Sequence, residues 1–382
     1  MRILCAGGGS GGHVTPVVAV LDEIKRLSND ELTVRFVCDS GFAPQARSIM
    51  AGATMPVSIS TIRAGKFRRY KHFRLIDYVT TPSVLFHNLI DIVQIAIGFI
   101  QSMWLILRFR PDIIFAKGGF VCLPVGWAAR LCRVPIVIHD SDARPGLTNR
   151  LIAPFARAIA TGYPLENYPY DQHKSTYTGV PIRAECRPVT SDMQRSAKSA
   201  FGISPDTRLT VGVGGGLGAK AINVALIEAA KTLPTDTHCI IVAGVKHYED
   251  ALQAANGLAN IEILEFVAEG MVELLSAADI VVTRASATSL QELAGLQKPI
   301  IAVPARQLGD QHKNAELYAA ADAAIVLDDD ALEHGELTTT LATLLDDPTR
   351  QEQLSKNLHA FAKPHAATDV AQIVLNVAAA KH

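Results

Sequence analysis

Several features that would point to other classes of protein are absent from this sequence. Its six cysteines form neither a C-x-x-C pair nor a cysteine and histidine spacing typical of a metal site, which favours buried, reduced thiols in a cytoplasmic protein. Lysine and arginine number 36 against 37 acidic residues, so the net charge of −1 gives no general attraction to nucleic acid. A strand and a glycine loop begin at residue 2, and we therefore expect no signal peptide.

Short apolar runs alternate with amphipathic helical patterns along almost all of the 382 residues. The runs are continuous and rich in β-branched residues, as expected of strands buried on both faces of a parallel sheet. A second series begins at residue 208 with its own glycine loop. The predicted strands are Arg2–Ala6, 33–38, 56–60, 112–116 and 135–139 in the first series, and 208–213, 238–243, Ile261–Leu264, 279–282, 299–303 and 323–326 in the second.

This pattern predicts an α/β protein with two Rossmann-like, doubly wound parallel-sheet domains that face each other across a cleft. We place the N-terminal domain at residues 1–178 and the C-terminal domain at residues 179–363, with the link in the segment TGVPIR. Residues 364–382 are expected to form a C-terminal helix that packs back on the N-terminal domain.

The first glycine loop, GGGSGG at residues 7–12, lies between a strand and a helix and ends at His13. Glycines let backbone N–H groups approach a ligand, and a helix N-terminus favours an anion such as a phosphate. The loop alone also fits a dinucleotide site with Asp39 as ribose partner, or a tight turn that binds nothing. An imidazole at its end instead favours general-base chemistry. We predict Thr15 as the N-cap of the following helix.

Three further loops follow strands and carry polar residues. KGGFVCLP covers 117–124, and HDSDARPGLTN covers 139–149. We expect His139 to be a structural residue at the end of a strand, and Asp142, further into the loop, to contact a ligand. In the third loop a helix begins near Ala287 and forms a second anion site. Glu292, about one turn further, can accept two ribose hydroxyls or can simply complement the helix dipole.

A basic segment at 63–74, RAGKFRRYKHFR, precedes the apolar stretch at 84–109. Polar residues interrupt this stretch, so we do not expect it to span a membrane. One interpretation is a core helix after a solvated loop, and a site for single-stranded nucleic acid ranks lowest. We favour contact with an anionic membrane surface. The predicted membrane residues are Arg63, Lys66, Arg68, Arg69, Lys71 and Arg74.

The ordered motifs GGGSGGHVTP, KGGFVCLP, HDSDARPGLTN, TGVPIR, GGGLGA, RASATSLQE and GDQHKNA resemble those of the MurG family over nearly the whole chain. That family comprises inverting GT-B glycosyltransferases. The resemblance implies transfer of N-acetylglucosamine from UDP-N-acetylglucosamine to lipid-linked (undecaprenyl-diphosphate) muramoyl-pentapeptide, in peptidoglycan synthesis. It also implies a peripheral protein at the cytoplasmic face of the cell membrane. No nucleic acid partner and no cofactor is expected, and a divalent cation would at most stimulate the reaction.

The resemblance assigns roles residue by residue. His13 is the expected catalytic base, and Asp142, which matches a sugar-contacting residue, is its alternative. Arg183 would face the diphosphate, and the backbone at Val267 would meet uracil. The residues expected to bind the UDP-sugar are Ser10, Gly11, Gly12, Asp142, Arg183, Gly216, Val267, Ala287, Thr288, Ser289, Leu290, Gln291, Glu292, Gln311 and Asn314.

The chain departs from the family pattern at four positions. Asp140 replaces a glutamate, Val180 an asparagine, and Gly216 and Leu217 a serine and a glutamine. A lost hydrogen bond to a charged group costs roughly 1.5–3 kcal/mol, so weaker nucleotide binding is expected unless the backbone compensates. The alternatives are a non-catalytic UDP-sugar-binding membrane subunit, a UDP-sugar 2-epimerase and a nicotinamide-dependent oxidoreductase.

Overall fold

The structure is a computed structural model that describes residues 1–9, 11–65, 82–215, 218–267 and 269–380. The chain divides into two compact units. The first comprises Met1–Ile182 together with the C-terminal segment from His365, and the second comprises Arg183–Pro364. The division lies four residues beyond the predicted boundary after residue 178.

The first unit is built on a seven-stranded sheet in which every neighbouring pair is parallel. The strand order is β3-β2-β1-β4-β5-β6-β7. The chain therefore adds β2 and β3 on one side of β1, and then crosses back to add β4 to β7 on the other side. The central strands are almost wholly apolar because helices cover both faces. The strands are β1 (Arg2–Ala6), β2 (Thr33–Asp39), β3 (Val57–Ile62), β4 (Ile113–Ala116), β5 (Ile136–Asp140), β6 (Ala158–Thr161) and β7 (Ser175–Tyr177).

The helices of this unit begin with α1, which spans Thr15–Leu27 and has Pro16 in its first turn. The prediction of Thr15 as N-cap is wrong: the N-cap is Val14, whose side chain makes no capping bond. A 3₁₀ turn at Gly11–His13 leads directly into the helix, and the Val14 N–H bonds to the Gly11 carbonyl at 2.9 Å. The other helices are α2 (Ala43–Met50), α3 (Pro82–Phe109), α4 (Cys122–Leu131) and α5 (Leu147–Ile152).

A helix from the far end of the chain, Ala366–Ala379, completes the first unit by packing on α1. Val370, Ala371 and Val374 are fully buried in the same core cluster as the apolar face of α1. The Thr368 hydroxyl also donates to the Glu23 carboxylate at 2.6 Å. The first unit therefore closes its core with residues that follow the second unit in sequence.

The second unit repeats the architecture with a six-stranded parallel sheet in the order β10-β9-β8-β11-β12-β13. The predicted pair of parallel-sheet α/β domains is thus confirmed. The strands are β8 (Arg208–Val213), β9 (Thr237–Val242), β10 (Ile261–Leu264), β11 (Ile280–Thr283), β12 (Ile300–Ala302) and β13 (Ile325–Val326). The helices are α6 (Ser191–Ala200), α7 (Lys220–Ala230), α8 (Tyr248–Ala254), α9 (Met271–Ala277), α10 (Ala287–Leu296), α11 (Gly309–Ala320), α12 (Asp329–Glu333), α13 (Glu336–Leu345) and α14 (Pro348–His359).

Helix α3 has one face in the core of the first unit and the other exposed. Leu105 and Ile106 are buried beside β4 and α4, whereas Ile100 and Trp104 are more than 60% exposed. In the part of the chain that the structure describes, this is the one helix long and apolar enough to cross a membrane by length and composition alone. Its segment Phe86–Phe109 has a mean hydropathy of 1.8, and 28% of the residues in its most apolar window are buried.

We predict that Val374→Ala destabilises the first unit by about 2 kcal/mol, because two buried methyl groups are lost and a cavity remains. Thermal or denaturant unfolding of the purified protein measures this change. The exposed neighbour Gln372 supplies the control, since Gln372→Ala removes little buried surface. Equal effects of the two changes would show that the C-terminal helix contributes no core.

Candidate active site

The sheet order indicates a candidate ligand site in the first unit between β1 and β4, where the direction of winding reverses. Open parallel sheets bind ligands at such a point, beyond the carboxyl ends of the strands. Here the loops after β1 and β4 touch through backbone. Gly119 has φ +86°, and a Cβ there would lie 2.5 Å from the Gly8 carbonyl oxygen. The Lys117 N–H donates to the Ala6 carbonyl at 2.9 Å, which fixes the start of the second loop.

His13 is the last residue of the 3₁₀ turn at the end of the first glycine loop. Its ring lies against Gly118, where an added Cβ would stand 3.6 Å from both Nδ1 and Cε1. Among the described residues no group hydrogen-bonds to its buried Nδ1. Burial, and then the positive charge of Lys117, lower the pKa of His13 to about 3. The imidazole is therefore neutral at physiological pH and can accept a proton.

Gly11 and Gly12 lie in the same turn as His13, so the structure keeps these three predicted residues together. Ser10 lies outside the described residues, as does Gly216 with its neighbour Leu217 in the loop after β8.

The loop after β5 contains a buried chain of hydrogen bonds. The Lys117 ammonium donates to the Ser141 hydroxyl oxygen. Ser141 Oγ lies 3.2 Å from His139 Nδ1, and His139 Nε2 lies 2.9 Å from the Gly179 carbonyl oxygen. His139 is fully buried with both ring nitrogens bonded, in agreement with the structural role expected of it. Sequence reasoning did not single out Lys117 or Ser141.

The two aspartates of this loop differ in their surroundings. The Tyr170 hydroxyl donates to Asp140 Oδ2 at 2.5 Å, and the Gly146 N–H donates to the same oxygen at 3.2 Å. Burial raises the pKa of Asp140 to about 7. Asp142 is partly exposed, and its backbone carbonyl accepts a hydrogen bond from the Tyr168 hydroxyl at 2.8 Å. The structure thus ties Asp140 into the fold and leaves Asp142 nearer the surface.

In the second unit the winding reverses between β8 and β11, and α10 begins just after β11. The Ser286 side chain caps α10 by accepting the Ser289 N–H at 3.3 Å. Leu290 is fully buried, and the Gln291 side chain donates to the Phe361 carbonyl at 3.0 Å. The Leu290 side chain therefore serves packing, and the Gln291 side chain holds the backbone at Phe361. Ala287 and Thr288 form the first turn of the helix, where N–H groups and the dipole favour an anion.

Glu292 and Arg183 lie 109 positions apart in sequence, and the fold brings their charges within reach of each other. Burial raises the pKa of Glu292 to about 7, and the positive charge of Arg183 opposes this rise. Cys186 lies near the same carboxylate, because Glu292 contributes, after burial, to the raised pKa of its thiol. The positive charge of Arg183 thus acts on the Glu292 carboxylate, which lies on the helix that follows β11.

The remaining predicted residues of the second unit lie in the loop after β10 and on helix α11. Val267 follows β10 and is partly exposed. Gln311 accepts the Ala305 N–H through Oε1 at 2.9 Å. Asn314 is fully buried and donates to the Ala285 carbonyl at 3.1 Å, so it supports the turn before α10. Their contacts with a sugar or base remain predictions.

Helix α10 is also supported by an ion pair that sequence reasoning missed. Arg284 follows β11 and donates to Asp329 Oδ1 at 2.9 Å and to the Val303 carbonyl at 3.2 Å. The other carboxylate oxygen of Asp329 accepts the Arg306 N–H at 3.1 Å. The pair joins the loops after β11 and β12, and only the fold reveals it because Asp329 lies 45 positions further along the chain.

Of the predicted membrane residues, Arg63 lies just after β3, and its N–H donates to the Gln101 side chain of α3 at 2.7 Å. Lys66, Arg68, Arg69, Lys71 and Arg74 lie outside the described residues. Among the residues that are described, no three histidine, cysteine, aspartate or glutamate side chains group in a way that could hold a metal ion.

Comparison with known families assigns both halves of the chain. Residues 3–161 match the glycosyltransferase family 28 N-terminal domain, and residues 210–370 match the glycosyltransferase family 28 C-terminal domain. The chain therefore belongs to glycosyltransferase family 28.

Curated relatives match over nearly the whole length. A UDP-N-acetylglucosamine–N-acetylmuramyl-(pentapeptide) pyrophosphoryl-undecaprenol N-acetylglucosamine transferase of Caldicellulosiruptor saccharolyticus is 30% identical, over 98% of this chain and 97% of the relative. The enzyme of the same name from Shouchella clausii is 32% identical over 87% of each chain.

Solved structures agree in fold. Acinetobacter baumannii MurG superposes with a TM-score of 0.68 at 22% identity, covering 98% of this chain and 99% of that one. The UDP-GlcNAc 2-epimerase of Neisseria meningitidis, bound to UDP-GlcNAc, gives 0.67 at 12% identity, covering 98% of this chain and all of the other. At these identities the likeness shows the fold alone.

Proposed function

We propose that this chain transfers N-acetylglucosamine, with inversion, from UDP-N-acetylglucosamine to lipid-linked (undecaprenyl-diphosphate) N-acetylmuramoyl-pentapeptide. The product is the lipid-linked disaccharide precursor of peptidoglycan. The observation that carries the proposal is the near full-length match to relatives that bear the name of this transferase. The loops at the carboxyl ends of both sheets supply the chemistry that the reaction requires.

The second unit would bind the donor. The carboxylate of Glu292 suits the two ribose hydroxyls, and the backbone near Val267 suits uracil. The Arg183 guanidinium and the first turn of α10 at Ala287 would meet the diphosphate, because both concentrate positive charge. As UDP leaves, the same groups would stabilise its developing charge. This mechanism requires no resident metal, and a divalent cation would only add to the charge already provided.

The first unit would supply the base. The acceptor hydroxyl oxygen attacks the anomeric carbon, the bond from that carbon to UDP breaks, and His13 takes the hydroxyl proton. The partly exposed Asp142 is the alternative acceptor of that proton. His13 is neutral but weakly basic in the free protein, since burial and Lys117 lower its pKa to about 3. The negative charge of a bound diphosphate would raise that pKa towards the value that base catalysis requires.

The direct test is incubation with radiolabelled UDP-N-acetylglucosamine and a short-chain muramoyl-pentapeptide lipid, followed by chromatography. We expect a labelled lipid-linked disaccharide, and His13→Ala should lower kcat about 100-fold or more while UDP binding changes little. His173→Ala, at an exposed histidine of the same unit, is the control.

Near-normal turnover by His13→Ala would transfer the role of base to Asp142. Free N-acetylmannosamine would identify a 2-epimerase, which shares this fold. Donor binding without any product would identify a non-catalytic UDP-sugar-binding subunit at the membrane.

The ribose role of Glu292 predicts a pH dependence. Only the ionised carboxylate accepts both hydroxyls, and burial holds its pKa at about 7. Binding of uridine, which has no phosphate to titrate, should therefore strengthen about tenfold from pH 6 to pH 8. Isothermal calorimetry measures this change. Glu292→Gln should weaken binding by roughly 1.5–3 kcal/mol and remove the pH dependence. An unchanged pH profile in that variant would reduce Glu292 to a residue that complements the dipole of α10.

We further propose that the protein binds an anionic membrane surface as a peripheral protein. Helices α3 and α4 pack together, and both expose large apolar side chains that would sit at headgroup depth while the basic segment meets anionic lipid. Each of the six cations would contribute roughly 1 kcal/mol near such a surface. The exposed apolar side chains are Phe86, Leu89, Ile90, Ile92, Val93, Ile100, Trp104, Leu107, Trp127 and Leu131.

We expect co-sedimentation with anionic vesicles, little with neutral ones, and release as salt rises. Charge reversal at Arg68, Arg69 and Lys71 to glutamate should abolish binding and leave UDP affinity intact. Trp104→Ser should weaken binding, whereas Val245→Ser, at an equally exposed apolar residue of the second unit, should not. Binding that survives charge reversal, or that is equal on neutral vesicles, contradicts the electrostatic explanation.

A further inference from the structure

We propose that Lys117 is a positioning residue of the site. Its ammonium is buried, is held by Ser141 and is faced by two carboxylates, and its positive charge keeps the imidazoles of His13 and His139 neutral. This role presupposes the transfer reaction proposed above. The contacts that define it lie wholly within the first unit.

The burial of Lys117 is the first support. Its side chain is 1% exposed, at the end of β4 and beside the point where the winding of the sheet reverses. An ammonium buried to this degree costs free energy unless charge and hydrogen bonds compensate. A methionine of similar length would fill the space without that cost. Space filling therefore does not account for a lysine at this position.

In the chain of hydrogen bonds from Lys117 to Gly179, only one assignment of donors and acceptors satisfies every atom. The Gly179 carbonyl can only accept, so His139 Nε2 carries the hydrogen that lies between them. In the neutral imidazole Nδ1 then holds a lone pair and accepts the Ser141 hydroxyl proton. The Ser141 oxygen is left to accept from Lys117. The chain is satisfied when Lys117 is charged and His139 is neutral, and a proton on Nδ1 would reverse its central bond.

The charges that face the ammonium come from several elements of the first unit. Asp142 and then Asp140 raise the pKa of Lys117, yet burial outweighs both and lowers it to about 8. In return, the positive charge of Lys117 adds to burial in lowering the pKa of both imidazoles. The titratable groups that face Lys117 are His13 in the loop after β1, Cys122 on α4, His139 and Asp140 on β5, and Asp142 in the loop after β5.

The wild-type protein itself offers a test that needs no substrate. In protein with ¹⁵N-labelled histidine, the ring nitrogens of His13 and His139 are followed by NMR from pH 5.5 to pH 9.5, with His13→Gln and His139→Gln for assignment. Neither ring should take up a proton in this range. Both should show a shift centred near pH 8, where Lys117 loses its charge. Asp140 titrates near pH 7, and Asp140→Asn removes that contribution.

Three variants assign the shift to its cause. Lys117→Met should abolish the step near pH 8, because the neighbouring charge that titrates there is removed. Lys117→Arg should keep both rings neutral without a step. Lys298→Met is the matched control: this second buried lysine, whose pKa burial also lowers to about 8, donates to the Ala278 carbonyl in the other unit. Its loss should leave the histidine spectra unchanged.

A kinetic test of the same proposal is the pH profile of kcat, on its acid side, where protonation of the base lowers the rate. Lys117→Met should move it up by about one pH unit, and Lys117→Arg should restore it, which a purely structural role would not do. A wild-type spectrum without a step near pH 8, or a step that survives Lys117→Met, overturns the proposal. If Lys117→Met does not fold, the wild-type titration and Lys117→Arg decide. Because the spectra require no turnover, they test the charge effect of Lys117 separately from the transfer assay, so a failure of this inference can be told apart from a failure of the proposed function.

Discussion

The backbone contact between Gly8 and Gly119 is the constraint on which the first site depends. A side chain at Gly119 would meet the Gly8 carbonyl oxygen, and the positive φ there disfavours any residue with a Cβ. The loops after β1 and β4 can therefore close on each other at the point where the winding reverses. That closure places His13 against Gly118 and beside Lys117, so glycine determines the chemistry of the site without contributing a functional side chain.

In the second unit an ion pair holds together the loops after β11 and β12. The carboxylate of Asp329 bridges Arg284, after β11, and the N–H of Arg306, after β12. Asn314 adds a bond to the carbonyl of Ala285. These bonds fix the turn before α10, whose first N–H groups would meet the diphosphate. In each sheet, the loops that follow the strands lie at the carboxyl edge, and local bonds hold them in one arrangement.

The sequence predicted those parts of the fold that depend on local pattern. All eleven predicted strands coincide with observed ones within about two residues, and α10 begins at Ala287 as expected. It missed β6 and β7, because the segments Ala158–Thr161 and Ser175–Tyr177 are short and carry few branched apolar residues. It also missed the contact of Lys117 with Ser141 and the charge effect of Arg183 on Glu292, since these interactions join distant positions and no local spacing encodes them.

The low basicity of His13 in the free protein favours transfer to the acceptor over hydrolysis of the donor. With its pKa near 3, His13 draws protons only weakly from water or from a stray hydroxyl while the site is empty. A bound diphosphate would bring negative charge towards Lys117 and His13, offset the ammonium and raise the basicity of the imidazole. The negative charge of the substrate would then strengthen the base that removes the proton from its own hydroxyl. Base strength would develop only after the charged acceptor has entered, which favours transfer to that hydroxyl over hydrolysis of the donor.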